Sequence, residues 1–331
     1  MKPKILITRA VFDEVVAHLR QTFDVETGGQ DPWPPEELRR RAAGMDALMV
    51  WGDRIDAALL DAAPKLRAVC NMMVGYNNID IGACTERGVL ATNTPGVLDD
   101  TTADMAWALL LAAARRVTES ERWLRAGNWK GLRFSEPLGR DVHHATLGIL
   151  GMGRIGRAVA RRARGFDMPV IYHNRSRLSP ALEQECNARY VSFDELLSQS
   201  DFLSLNLPYS NDSHHLIGAK QLARMKPTAI IINTARGGII DDAALIEVLR
   251  SKRIAGAGLD VFEGEPDFNP GFLALDNVAL APHLGSATFA TRMAMARLAA
   301  ANVTAVFAGE RPPCLINTEA WGRRRKSDNT R

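Results

Sequence analysis

Gly151-Met152-Gly153-Arg154-Ile155-Gly156 sets three glycines between the apolar run Leu147-Gly148-Ile149-Leu150 and a stretch in which Ile155, Val159, Ala163 and Phe166 recur at helical spacing. Such a strand, glycine turn and helix can wrap its backbone around a diphosphate. Gly151 permits the tight turn, Gly153 lets the chain approach the phosphates, and Gly156 lets helix and strand close together. The triplet alone is weak evidence; its flanks carry the reading, which is a Rossmann dinucleotide site. The next strand runs from Pro169 to Tyr172 and leads to Asn174-Arg175-Ser176-Arg177. An acid at the Asn174 position would accept the ribose hydroxyls of NAD. Without that acid, and with Arg175, Ser176 and Arg177 following, a 2′-phosphate is accommodated, so the sequence points to NADPH, with NADH as the alternative. Three further groups able to bind anions or exchange protons follow closely on apolar runs: Arg236 after Ala229 to Asn233, Glu265 after Ala255 to Val261, and His283 after Val278 to Ala281. Each lies just past a strand's C-terminal end, the side on which the glycine turn holds its ligand. Singly they would pass as an ion-paired arginine, a solvated turn glutamate and a capped histidine.

The elements that must position these groups alternate. Lys4 to Thr8, Ala47 to Trp51, Leu66 to Cys70 and Val89 to Thr92 read as buried strands, with amphipathic helices between them near Val11 to Leu19, from Pro35 and from Ala57. This first segment is itself a small parallel α/β unit. Its loop Asn71-Met72-Met73-Val74-Gly75-Tyr76 sits where open sheets carry ligand loops. Thr94-Pro95-Gly96 breaks the chain, and an almost wholly apolar helix follows over Thr102 to Arg116. Apolar on all sides, it calls for cover between two domains or at a subunit interface. Strands at Asp201 to Leu207 and the runs named above complete a second sheet. A second Ala-rich helix, Ser286 to Ala308 with Gly309 as its cap, is expected to recross the cleft. The expected architecture is thus two doubly wound parallel-sheet α/β domains, Rossmann- or flavodoxin-like, separated by a cleft. Residues 1–98 and 290–331 form one and 99–289 the other. The irregular stretch Gly127 to His144, with Trp129, Phe134 and Pro137, reads as a contact surface.

Composition narrows the function classes. At 46% hydrophobic and 24% charged residues the 331-residue chain is an ordinary globular one. Its net charge of +3 comes from the last ten residues, where five Arg and Lys stand against one Asp. The remainder is near neutral, which argues against a nucleic-acid partner, and 322–331 is expected to be a solvated, disordered tail. Cys70, Cys84, Cys186 and Cys314 show neither CxxC nor metal-ligand spacing, so no metal is expected and buried thiols in a reducing compartment are. The N-terminus reads directly into a strand, and the longest apolar run is about half a membrane span of ~20 residues, so a cytoplasmic, membrane-free protein is expected.

The motifs taken together resemble the D-isomer-specific 2-hydroxyacid dehydrogenase family along nearly the whole chain. They are Met73 to Asn78, Gly148 to Gly156, Asn233-Thr234-Ala235-Arg236-Gly237, Gly258 to Pro266 and Pro282-His283-Leu284-Gly285-Ser286. Glu136-Pro137-Leu138-Gly139 and Asp141-Val142-His143-His144 are most similar to bacterial glyoxylate/hydroxypyruvate reductases that also accept 2-ketogluconate. The resemblance implies that His283 donates a proton to a keto oxygen as NADPH delivers hydride, with Glu265 orienting and tuning it. It also implies that Arg236 binds the substrate carboxylate and that Val74 and Gly75 amides hold the other carboxylate oxygen, with Met73 shaping the pocket. Thr102, Arg154, Ile155, Pro208, Thr234, Asp260 and Gly285 would line the cofactor. A homodimer and hinge closure are further implications. Two other readings stand beside this one. They are an NADH-dependent dehydrogenase of another 2-hydroxy acid, and a nucleotide-sensing interaction protein, since this fold also serves as a transcriptional corepressor.

Overall fold

In the computed structural model, which describes residues 1–132, 134 and 138–325, the ladders between named strands are parallel, an isolated antiparallel bridge joins Thr92 to Leu315, and the chain divides into two units. Unit 1 comprises Met1–Leu98 and the chain from Thr288 onward; unit 2 is Asp99–Ala287. Glu136 and Pro137, and the basic residues beyond Arg325, lie outside the described residues.

Unit 1 is built from β1 (Lys4–Ile7), α1 (Asp13–Arg20), β2 (Asp24–Thr27), α2 (Pro35–Ala42), β3 (Ala47–Val50), α3 (Ala57–Ala62), β4 (Ala68–Asn71), α4 (Ile81–Glu86) and β5 (Leu90–Thr92). Its sheet has the order β2-β1-β3-β4-β5, so strand order reverses between β1 and β3. Strand β2, Asp-Val-Glu-Thr, carries no apolar run because it is an edge strand that buries only Val25. The long helix Phe289–Ala308 is capped by the Thr288 hydroxyl and ends at Gly309 with φ 80°. It packs on β3, β4 and α1, within unit 1. Cys70, Cys84 and Cys186 are buried thiols, and burial pushes Cys70 up to about 12; Cys314 is half-buried.

Unit 2 contains α5 (Asp99–Ala114), α6 (Val117–Arg125), β6 (Leu147–Leu150), α7 (Arg154–Ala163), β7 (Val170–His173), α8 (Pro180–Cys186), β8 (Ala188–Tyr190), α9 (Phe193–Gln199), β9 (Phe202–Leu205), α10 (Ala219–Leu222), β10 (Ile230–Asn233), α11 (Asp242–Arg250), β11 (Gly256–Leu259) and β12 (Val278–Leu280). The sheet order is β12-β11-β10-β9-β6-β7-β8. The apolar helix α5 finds its cover inside this unit: it lies across α7, β10 and β11 and buries Ala103, Ala106, Trp107, Leu109 and Leu110. Ala108 on the same helix stays exposed, and Met105, Leu111 and Ala112 are only half-buried. Edge strand β8 is short and only partly buried, so its sequence gives little strand signal. Register decides where the chemistry goes. Asn233 pairs with Leu259 and Leu259 with Leu280, so three parallel strands end abreast and deliver their loops to one edge.

The basic C-terminus corrects an expectation. Residues 322–325 are not a solvated tail. Arg325 donates its backbone N–H to Gly88 O at 3.1 Å, and its guanidinium donates to Arg87 O at 2.8 Å, Pro64 O at 2.6 Å and Leu66 O at 3.0 Å. Carbonyl oxygens at loop ends need donors, and a guanidinium can satisfy several at once. Replacing Arg325 by Ala is expected to remove roughly 1.5–3 kcal/mol of charge-assisted bonding. The melting temperature should drop by several degrees in a thermal scan; an unchanged melt would contradict the docking.

Candidate active site

The glycine turn separates packing demands from binding demands. Gly151 has φ 95°, and a Cβ there would stand 2.7 Å from the Asn206–Leu207 backbone, so only glycine fits between β6 and the end of β9. A Cβ on Gly156 would stand 2.2 Å from Gly151 O, which is the close contact of helix and turn. Gly153 is different: a Cβ there would meet no atom within 4 Å. The protein's own packing does not require glycine at that position, whereas a pyrophosphate lying on the turn does. Gly153 is also the N-cap of α7 and offers no side chain to the helix's first N–H groups, which leaves them to an anion. The turn lies where the strand order of unit 2 reverses, between β6 and β9.

Beside it is a cavity of about 520 Å³ lined by Gly151, Gly153, Asn174, Arg175, Ser176, Asn206, Pro208 and Asp212 among others. Asn174 Oδ1 accepts the Met152 N–H at 2.6 Å, so this residue braces the turn as well as facing the cavity. Arg175 is exposed with no side-chain partner among the described residues. Arg177 departs from expectation. Its guanidinium makes two 2.8 Å bonds to Glu183, which is held down to about 2 by that contact and by the Tyr172 hydroxyl. Glu183 lies on α8, and nothing in the local run Asn174 to Arg177 announces it. Arg154 pairs with Asp99 at 3.3 Å, and Ile155 packs onto the core beneath α7. The Oδ1 of Asn206 and Oγ1 of Thr234 are buried without a hydrogen-bond partner among the described residues, which fits polar groups that meet a ligand.

Arg236, Glu265 and His283 emerge from the three strands that end abreast. The tip of the β10 loop lies against the β11 loop: a Cβ on Gly237 would stand 1.8 Å from Phe262 O. Asn233 fixes the arginine's turn, donating from Nδ2 to Arg236 O at 2.9 Å and accepting the Ala235 N–H at 3.0 Å. Glu265 accepts the Phe262 N–H on Oε1 at 2.7 Å, and its Oε2 meets His283 Nδ1 at 2.7 Å. Burial alone would raise the Glu265 carboxyl, but the bonds from His283 and Phe262 and the charge of Arg236 outweigh it and hold it below the usual range. Burial disfavours the charged Arg236, and Glu265 offsets part of that cost. His283 adopts φ 55°, a left-handed conformation costing ~1–3 kcal/mol that the surroundings must impose. They do so through Asp260, 1% exposed, whose carboxylate accepts Leu284 N–H at 2.6 Å and Gly285 N–H at 2.7 Å while its carbonyl takes the His283 N–H at 2.8 Å. Thr102 stands next to Gly285, so Thr102, Asp260 and Gly285 form one group.

Sequence reasoning missed the braces. Glu263 N–H donates to Asp242, an acid that burial pushes up to about 6, and the Glu263 carboxylate meets His215 Nε2 at 2.9 Å. His214, His215 and Glu263 also bring three potential metal ligands within 4.8 Å of one another, a grouping their sequence spacing does not reveal. In unit 1, Asn71 Nδ2 donates to Gly75 O and Asn93 Nδ2 to Val74 O, both at 2.7 Å, and Thr94 N–H donates to Met73 O at 3.2 Å. The loop is thus clamped by its carbonyls. The amides of Val74 and Gly75 donate to no other group among the described residues.

Known proteins were compared with the chain. Residues 107–285 match the family described as D-isomer specific 2-hydroxyacid dehydrogenase, NAD binding domain. A glyoxylate reductase of Thermococcus gammatolerans is 48% identical over 325 residues, covering 96% of this chain and 97% of its own. Among solved structures, a glyoxylate reductase from Paecilomyes thermophila superposes with a TM-score of 0.87 at 36% identity, covering 95% of this chain and 98% of its own. An NADPH-dependent glyoxylate/hydroxypyruvate reductase from Sinorhizobium meliloti, solved with NADP and malonate, has a TM-score of 0.86 at 31% identity over 99% of this chain and 100% of its own. With its sheets, glycine turn and arginine–glutamate–histidine group in place, the chain belongs to the D-isomer-specific 2-hydroxyacid dehydrogenase family of NAD(P)-dependent oxidoreductases.

Proposed function

We propose that this protein is an NADPH-preferring reductase of small 2-oxo acids, acting on glyoxylate and hydroxypyruvate, with 2-keto-D-gluconate as a further substrate, to give D-2-hydroxy acids. The observation that carries this reading is the Glu265–His283 hydrogen bond beside half-buried Arg236, in a chain whose relatives include glyoxylate reductases. The bound dinucleotide supplies the hydride that the carbonyl carbon receives. His283 supplies the matching proton: with Nδ1–H directed to Glu265, Nε2 carries the proton that passes to the keto oxygen. Arg236 grips the substrate carboxylate and polarises the keto group, and the amides of Val74 and Gly75 take the second carboxylate oxygen. Thr102, Arg154, Ile155, Pro208, Thr234, Asp260 and Gly285 are assigned to the cofactor side.

The preference for NADPH rests on Arg175 and Ser176, which line the cavity, and less on Arg177, which Glu183 already engages. Asp212, on the same cavity, favours the NADH alternative by its charge. We also assign a homodimer to the exposed apolar side chains of α6 and of the described residues that follow it, Trp129, Leu132, Phe134 and Leu138. No residue of α6 is buried, and Leu124, Trp129, Leu132 and Phe134 are more than half exposed. Exposed patches of this kind mark interfaces. Among the described residues, no helix is long and apolar enough to cross a membrane.

Three measurements follow. His283→Ala should lower kcat for glyoxylate by about 10²–10⁴-fold, the range of a lost general acid, with the cofactor Kd little changed; undiminished turnover would contradict the role. Because Glu265 is held below 4.5, its orienting bond is present above that pH and is lost only as pH falls through its depressed value. The acid limb of kcat should therefore lie below pH 4.5 for wild type, and a limb above it would contradict the assignment. Arg175→Ala should cut the NADPH-to-NADH ratio of kcat/KM by about tenfold or more, the worth of a charge-assisted phosphate contact; an unchanged ratio would favour the NADH reading.

A further inference from the structure

Within unit 2, His214 and His215 lie on the loop that follows β9, and Glu263 lies on the loop that follows β11. The two imidazole rings stack, with centroids 3.9 Å apart and planes 23° apart. His215 Nε2 meets Glu263 Oε2 at 2.9 Å, and one ligand atom from each of the three residues lies within 4.8 Å of the others. Each residue is fixed from its own side. The His215 N–H donates to Gly238 O at 2.7 Å and the Ile217 N–H to Ile239 O at 3.1 Å, which sutures the histidine segment to the loop after β10. His215 is held there at φ 50°, a left-handed conformation that its surroundings must impose. The Tyr209 hydroxyl meets His214 Nδ1 at 3.1 Å and orients that ring. The Glu263 N–H donates to Asp242 at 3.2 Å. A Cβ on Gly238 would stand 3.5 Å from His214 Nδ1 and 3.7 Å from Glu263 Oε1, so its missing side chain leaves free the space that both groups border. The side chains of His215 and Glu263 are 38% and 41% exposed, within reach of an ion from solvent.

We propose that His214, His215 and Glu263 are the ligands of a divalent cation of the borderline class, Zn²⁺ foremost. Two imidazoles and one carboxylate are a set that Zn²⁺ accepts, with water in the fourth position, whereas Mg²⁺ and Ca²⁺ take oxygen ligands throughout. Two ligand atoms each about 2.1 Å from one ion, at a tetrahedral angle, lie about 3.4 Å apart. A shift of about half an ångström therefore turns the 2.9 Å His215–Glu263 hydrogen bond into a pair of metal ligands. The bound ion clasps three loops of unit 2. The first runs from Pro208 to His215, and its Pro208, Ser210, Asp212 and Ser213 line the dinucleotide cavity. The second carries Arg236, two residues before Gly238, and the third carries Glu265, two residues after Glu263. The site rests on these side chains alone and stands apart from the reductase reading.

The test is a titration of the full-length protein, stripped by a chelator, with Zn²⁺ in competition with a chromophoric chelator and with neither substrate nor dinucleotide present. Wild type should bind the ion, and excess Mg²⁺ should not displace it. Losing a group that only orients a metal ligand weakens binding by about 10–100-fold, so His214→Gln, His215→Gln and Glu263→Gln should each weaken it by at least about tenfold. His283→Gln should leave the affinity unchanged. Zn²⁺ should also raise the melting temperature of wild type and leave that of His214→Gln where it is. No binding, equal affinity in wild type and all three ligand variants, or displacement by Mg²⁺ would overturn the site. So would a loss confined to His283→Gln, which seats the ion on the Glu265–His283 pair, or a wild-type melt unmoved by saturating Zn²⁺. His214 and His215 are exposed, so should Glu263→Gln not fold, the two histidine variants decide. Because no turnover is measured, failure to reduce glyoxylate would sink the reductase reading and leave this result standing.

Discussion

A nearly fully buried carboxylate, that of Asp260, holds the turn from which His283 projects. Taking a charge out of water is costly unless hydrogen bonds replace the lost hydration, and here two backbone amides, of Leu284 and Gly285, replace it. The same arrangement obliges the backbone to bend at His283 into a left-handed conformation that a non-glycine residue avoids. The strain is thus offset at the residue that must point its ring at Glu265. Everything downstream depends on β10, β11 and β12 ending in register, because only then do the arginine, glutamate and histidine loops leave the sheet at one level.

Much of this was legible in the sequence because it is local. A glycine at a turn, an apolar run before it and a chemical group just past it are all within a few residues of one another. The central strands showed themselves as apolar runs, and the glycine turn by its flanks. What stayed hidden depends on distant partners. Edge strands β2 and β8 bury too little to be apolar. Arg177 looks available until Glu183 folds back beside it, and 322–325 looks like a charged tail until four carbonyl groups are seen to need its donors. The asparagines Asn71, Asn93 and Asn233 each order a functional turn through a backbone carbonyl.

The electrostatics of the site follow from burial rather than from net charge. Arg236 loses hydration and regains part of that cost from Glu265, and Glu265 stays ionised because it has two donors and a cation nearby. The three groups therefore form one coupled unit, in which the charge of each favours the charged form of its neighbour. The braces at Asp242 and His215 hold the glutamate loop from behind. This division between reacting groups and the residues that fix them explains why the loops can be short and still exact a defined geometry.

The central claim is that His283 and Glu265 act as a single proton-transferring unit, and a double-mutant cycle on single-turnover glyoxylate reduction tests it most directly. The account predicts that His283→Ala with Glu265→Gln is about as slow as His283→Ala alone, as expected of residues that work together. Rate losses that multiply, each variant contributing independently, would contradict it.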